Sequence, residues 1–167
     1  MIEFFADQMD PNTLRATLRI VLALVLAGII GLDREIGGHT AGLRTHMVVS
    51  VGACLVTLLM IRMTSQFSGE SIRIDPVRVI EAVTSGVAFL AAGAIIQARG
   101  RVRGLTTGGS LWIAGVSGLA CGLGEYLLAV IAVISTMLVL RGVKWIEHKW
   151  LKKTNADQDD ADQDDRC

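Results

Sequence analysis

The reactive side chains are densest in residues 31–46, GLDREIGGHTAGLRTH, where Asp33, Arg34, Glu35, His39, Arg44, Thr45 and His46 fall within sixteen positions. Three kinds of chemistry are open to such a set. Carboxylates and guanidinium groups beside a bilayer can pair bidentately and lock a joint between two helices. His39 and His46 with Asp33 and Glu35 could instead be imagined around a metal ion, although their spacing matches no strong ligand pattern, so the metal question stays open. The third reading is an anion site. Arg44, with Arg101 and Arg103 further along the chain, lies where two apolar runs begin, and helix N-termini attract a phosphate or an anionic lipid headgroup. Ordinary contact of loop arginines with bulk lipid is the plainer role for the same residues. Thr106 and Thr107, just after Arg103, extend this polar cluster.

Other chemistry is missing from the sequence. It has no Walker sequence, no G-x-S-x-G and no H-E-x-x-H, so no catalytic residue is assigned and no enzyme is expected. Cys54, Cys121 and Cys167 make neither a CxxC pair nor an even count, and no cofactor is implied. The apolar runs carry no Asp, Glu, His, Lys or Arg near their middles, which argues against a dedicated proton pump.

The elements that must position these residues are membrane helices. Hydrophobic residues make up 51% of the 167-residue chain, and the mean hydropathy is +0.51. Uncharged runs predict five spans at 14–32, 45–61, 82–98, 105–124 and 126–145, each close to the length that crosses ~30 Å of hydrocarbon. The fold class is therefore all-α: a polytopic membrane protein built as a bundle of five transmembrane helices in the lipid bilayer. Arg15 and Arg19 are expected to snorkel from the start of the first span, and Tyr126 and Trp145 to anchor the two ends of the last. Short connections hold ten Lys or Arg on one side and five on the other, which favours an N-out, C-in orientation. The acidic N-terminus lacks a basic n-region and an A-x-A site, so the first span is expected to be retained. No basic excess supports nucleic-acid binding.

The organisation follows from these spans. Residues 1–13 form an N-terminal segment, 14–145 the membrane domain, 146–153 a basic juxtamembrane helix end, and 154–167 a disordered, solvated acidic tail with six aspartates. The Asp75-Pro76 pair is a helix-start signal. Gly-Leu-x-Thr recurs at residues 42–45 and 104–107, where Thr is expected to cap the following helix. In the fourth span Gly108, Gly115 and Gly122 repeat every seven residues and Gly118 with Gly122 makes a GxxxG pair, a face for close helix packing, with Gly86 and Gly93 of the third span as its partners. Ser110 and Ser117 on the same span could bond across helices or line a polar cavity.

The segments GLDRE, AGLRTHMVVSVGA, DPVRVIEAVTSGVAFLAAGAII and RGLTTGGSLWIAGVSGLACGLGEY, in that order, resemble the membrane domain of the MgtC/SapB family. The chain looks like the shorter SapB or YhiD kind, since the soluble C-terminal domain of the longer members has no counterpart. Asp33 stands where the family often has Glu, and Ala88 and Ala91 replace glycines. The resemblance implies a multi-pass protein of the bacterial inner membrane. Such proteins are associated with growth at low magnesium, with acid stress and, in pathogens, with virulence. The expected function is adaptation to low magnesium or acid by a regulatory interaction with a membrane protein partner or within a homo-oligomer. The competing classes are a small transporter or channel for Mg2+ or another ion, and a purely structural module.

Overall fold

The computed structural model describes residues 11–66, 75–98 and 101–143, with backbone alone at 96–98 and 101. Most of the N-terminal segment, the polar loop after Gln66, Trp145, the basic helix end and the aspartate tail lie outside the described residues. Five helices account for nearly all of what is described. They are α1 (Pro11–Ile36), α2 (Leu43–Gln66), α3 (Pro76–Gly93), α4 (Leu105–Leu123) and α5 (Tyr126–Val143). The protein is an all-α polytopic membrane protein. Its one departure is a short antiparallel hairpin between α3 and α4, β1 (Ile96–Ala98) and β2 (Arg101–Arg103), with Ile96 opposite Arg103.

Helix boundaries follow local chemistry more closely than hydropathy. Asp75 caps α3, its Oδ1 accepting the Val77 N–H at 3.0 Å, and Pro76 takes the first helical position, where its missing N–H costs nothing. The helix therefore begins six residues before the expected third span. It also ends early: residues 96–98, expected in that span, form β1 instead. Ala94 closes α3 with bonds to the Leu90 and Ala91 carbonyls. The hairpin then delivers the chain to Gly104, whose φ of 89° and contact with the Ala94 carbonyl leave no room for a side chain. Neither Thr45 nor Thr107 is a cap, because α2 and α4 start at Leu43 and Leu105, two residues before them.

Contacts fix the directions of the four helices that pack together. Ser50 of α2 bonds to Ala23 of α1, while Gly31 of α1 meets Leu43 of α2, so α1 and α2 are antiparallel. His46 pairs with Ser110 and Thr57 with Gly122, so α2 and α4 run parallel. Gly115 meets Val87 and Gly108 meets Ala91, which makes α3 and α4 antiparallel.

At the centre is α4, packed against α1, α2 and α3 with eleven of its nineteen residues buried. Its glycines let the neighbours in. A Cβ at Gly122 would stand 2.7 Å from Thr57 and 2.9 Å from the Cys54 carbonyl, one at Gly115 2.7 Å from Val87, and one at Gly118 would run into the Ser50 backbone. The expected partners Gly86 and Gly93 are not in this contact, and nothing lies within 4 Å of either Cβ position. The α3 residues that meet α4 are Val87 and Ala91, so the packing face of α3 is turned roughly 100–160° around the helix from its glycines.

Four helices, α1, α2, α3 and α5, are long and apolar enough to cross a membrane by length and composition. The glycines, serines and threonines of α4 put it outside that set, and its packing against three neighbours fits this, because most of its residues face protein, with Leu105, Trp112 and Leu123 exposed. By contrast α1 shows a stripe of Leu14, Leu18, Val21, Val25, Ile29 and Leu32, each about half exposed, at helical spacing. A unit boundary falls between Val133 and Ile134. The first two turns of α5 bury Ala129 and Val133, and the later part of the helix exposes Leu138, Val139 and Val143.

Candidate functional site

The polar cluster assembles where α1 ends and α2 begins. The α1 helix outlasts its apolar run and carries Asp33, Arg34 and Glu35 on its last turn. Glu35 reaches across the intervening turn, its Oε2 accepting the Leu43 N–H at 2.9 Å. That carboxylate, not Thr45, satisfies a free donor at the start of α2. Any Cβ at Gly42 would overlap Glu35, and a Cβ at Gly31 would stand 2.7 Å from the Leu43 backbone. Glycine at both positions is what lets the two helices meet.

Arg34 is the buried charge of the cluster, 4% exposed. It donates from Nη2 to Asp33 Oδ2 at 3.2 Å, while its Nε has no hydrogen-bond partner. The expected bidentate lock does not form. Adjacent residues on a helix point about 100° apart, so Asp33 cannot present both oxygens to its neighbour's fork, and Glu35 is already held at Leu43.

His46 is fully buried on α2 and links it to α4. Its Nδ1 lies 2.8 Å from the Gly42 carbonyl and its Nε2 lies 3.0 Å from Ser110 Oγ. Ser110 Oγ is also 2.9 Å from the Thr107 carbonyl. Proton accounting decides the roles. A carbonyl only accepts, so Nδ1 carries hydrogen, and in the neutral ring Nε2 must accept the Ser110 hydroxyl hydrogen. If the ring is charged, Nε2 donates to Ser110 and the hydroxyl turns to Thr107.

The remaining expected residues divide by exposure. Thr107 is buried, whereas His39, Arg44, Thr45, Arg103 and Thr106 are exposed. His39 folds over Gly37, with Nε2 2.9 Å from that residue's Cβ position. With both His46 nitrogens engaged by protein, His39, His46, Asp33 and Glu35 are not brought around a common point. Among the described residues no group of three or more His, Cys, Asp or Glu could hold a metal ion. Of Arg101 only the backbone is described, in β2.

Several residues of the interior are absent from the sequence reading. Ser50 donates to the Ala23 carbonyl at 3.1 Å and Thr57 to Ala53 at 2.8 Å. His46, Ser50 and Thr57 lie on one face of α2, a polar line at helical spacing within an apolar run. At the other end of the bundle Arg19 does not snorkel. Its Nη1 donates to the Gly122 carbonyl at 2.7 Å and its Nε to Tyr126 Oη at 3.1 Å, so the guanidinium sits on the negative end of α4.

A glycine-packed helical bundle with a hydrogen-bonded polar line through its interior and a charged joint at one end defines a multi-pass membrane protein whose distinctive residues lie at helix contacts. The pattern of the MgtC family matches residues 20–149, and the chain belongs to that family. SrpB of Synechococcus elongatus is 34% identical over 147 residues, covering 83% of this chain and 80% of the relative. YhiD of Escherichia coli K12, whose name proposes a magnesium transporter, is 33% identical over 124 residues, covering 74% of this chain and 58% of YhiD. MgtC of Brucella abortus is 37% identical over 117 residues, covering 70% of this chain and 46% of that protein. The chain therefore spans most of SrpB but only about half of the other two. No solved structure matches.

Proposed function

We propose that this protein, placed N-out and C-in in a bacterial inner membrane, supports adaptation to low magnesium or acid stress through contact with a second membrane protein and without enzymatic activity. One observation carries the reading: the contrast between filled and unfilled small-residue faces. Every glycine of α4 at a helix contact is occupied, whereas Gly52 of α2 and Gly86 of α3 open onto a groove of about 480 Å³ walled by Val48, Val56, Val83 and Leu90. In lipid, small residues between two apolar helices accept a third helix by close packing. A transmembrane helix of a different protein is the occupant that suits a regulatory contact.

The test fills the groove. Gly52→Leu and Gly86→Leu extend into open space, so each variant should fold as wild type, lose the co-purifying membrane protein and fail to rescue a deletion strain at low magnesium or low pH. Wild-type rescue by both variants refutes the reading. The name borne by YhiD favours transport as a second reading. Saturable Mg2+ flux by the purified protein in liposomes, unchanged in the groove variants, would move the assignment there.

A further inference from the structure

At the end of the bundle opposite the hairpin, α1 and α2 enclose a pocket of about 600 Å³ between the first turns of α1 and the last turns of α2. That volume is within the range of small-molecule sites, about 300–1,000 Å³. Its chemistry is unbalanced. Arg15, Arg19 and Arg62 line it together with Asn12, Thr13 and Ser65, and among the described residues no Asp or Glu does. Arg15 and Arg19 are four residues apart and so share one face of α1, while Arg62 projects from the facing side of α2.

The three arginines are committed to different degrees. Arg19 is the fixed one, held by the Gly122 carbonyl at 2.7 Å and by Tyr126 at 3.1 Å. Arg62 makes a single long bond from Nη2 to Thr13 Oγ1 at 3.4 Å. Arg15 makes none with any described residue. Glu125, the described carboxylate next to Tyr126, pairs with none of the three, and Asp33 and Asp75 pair with Arg34 and Arg78. Like charges converging at the edge of a low-dielectric slab repel one another unless an anion joins them. Guanidinium forks match the oxygens of a phosphate bidentately, and hydroxyl and amide side chains supply the neutral donors such a group also uses.

We infer that this pocket is an anion site that takes a phosphate group, with Arg15 and Arg62 as its mobile forks and Arg19 as its fixed floor. The group is either the headgroup phosphate of an anionic lipid or a free phosphate ion. The site is separate from the groove between α2 and α3 and does not depend on it.

Purified full-length protein in neutral detergent tests this by thermal stability. Inorganic phosphate is titrated at constant ionic strength set by chloride, and in a parallel arm short-chain phosphatidylglycerol is titrated against phosphatidylcholine of the same chain length. The site predicts a saturable rise in melting temperature with one anion series and none with phosphatidylcholine. Saturation by inorganic phosphate identifies the free ion as sufficient, and a response to phosphatidylglycerol alone identifies the lipid. Arg15→Gln with Arg62→Gln should weaken the response at least tenfold in midpoint concentration, whereas Arg44→Gln with Arg103→Gln, at exposed arginines of the opposite end, should leave it unchanged. Arg15→Glu is the second variant. The Arg15 side chain makes no hydrogen bond or ion pair with a described residue, and a carboxylate there faces Arg19 and Arg62, so the protein without ligand should melt at or above the wild-type temperature while the response disappears. No saturable response to either anion, or an equal response in the Arg15 and Arg62 variants, overturns the proposal.

Discussion

Substituting Gly118 by alanine adds one methyl group at the tightest point of the bundle. Its Cβ would meet the Ser50 carbonyl oxygen and stand 2.8 Å from both the Ser50 carbonyl carbon and Ser50 Oγ, where ordinary contact begins at 3.4 Å. The obstacle is mainly backbone, so no rotamer change relieves it, and α2 must retreat from α4 by roughly 0.6 Å or more. A gap of about 0.5–1 Å forfeits about a quarter to a half of each dispersion well. For a patch comparable to one buried leucine, about 40–60 atom pairs at about 0.1–0.2 kcal/mol each, the loss is about 1–6 kcal/mol. Overpacking measured in protein cores, at about 1–3 kcal/mol, selects the lower half of that range. The control is Gly52→Ala on α2, where nothing lies within 4 Å and alanine's helix propensity should make the change neutral or favourable by up to about 1 kcal/mol. Cys54 and Cys121, both buried, report the outcome. In a Cys167→Ser background their maleimide labelling rate follows opening of the bundle. Gly118→Ala should label faster by at least about fivefold, the low end of its cost, and Gly52→Ala should not. Equal labelling in the two variants would refute the account of α4 as the close-packed centre.

Ser110→Ala leaves His46 Nε2 buried without a partner and should cost about 1–3 kcal/mol in thermal or denaturant stability. Ser117→Ala removes only a bond to Ala114 within the same helix, at 2.9 Å, and should cost less than about 1 kcal/mol. Glu35→Ala uncaps α2 and should cost about 0.5–2 kcal/mol, with Glu35→Gln retaining most of the stability because the amide oxygen still accepts from Leu43. Arg19→Met removes a charged donor from the Gly122 carbonyl and should lower stability by about 1.5–3 kcal/mol, whereas Tyr126→Phe, which loses one bond, should lower it by about 0.5–1.5 kcal/mol. In each case a melting curve of the variant superimposing on wild type contradicts the assigned contact.

The helical membrane fold is written in the apolar runs, and the family is written in motifs such as AGLRTH and RGLTT. Hydropathy placed α3 poorly because the Asp75-Pro76 start outranks the apolar boundary and the hairpin uses Ile96, an apolar residue, outside any helix. Gly86 and Gly93 share the seven-residue spacing of the α4 glycines, but spacing fixes only a common face, and the crossing with α4 turned Val87 and Ala91 to the contact. The polar interior was partly legible. Polar residues at positions 46, 50 and 57 in an otherwise apolar run carry a helical period, yet the partners of His46 on α4 and of Ser50 on α1 are set by tertiary packing that no local pattern contains. Arg19 departs from the expected snorkelling for the same reason. A guanidinium near a helix start snorkels by default, and only the nearby end of α4 offers it something better.

The weak hydropathy of α4 bears on how the molecule is made. A nascent chain is released from its N-terminus, so α1, α2 and α3 emerge before the helix they surround. Until α4 arrives, His46, Ser50 and Thr57 of α2 face an empty trench, and Val87 and Ala91 lack the α4 glycines they pack on. The trench in turn offers α4 an entry that lipid alone does not, through preformed hydrogen-bond partners and close backbone approach. Integration of this helix is therefore coupled to assembly of its predecessors, and a lesion in the α1–α2 joint is expected to surface as failed insertion of a segment some sixty residues downstream.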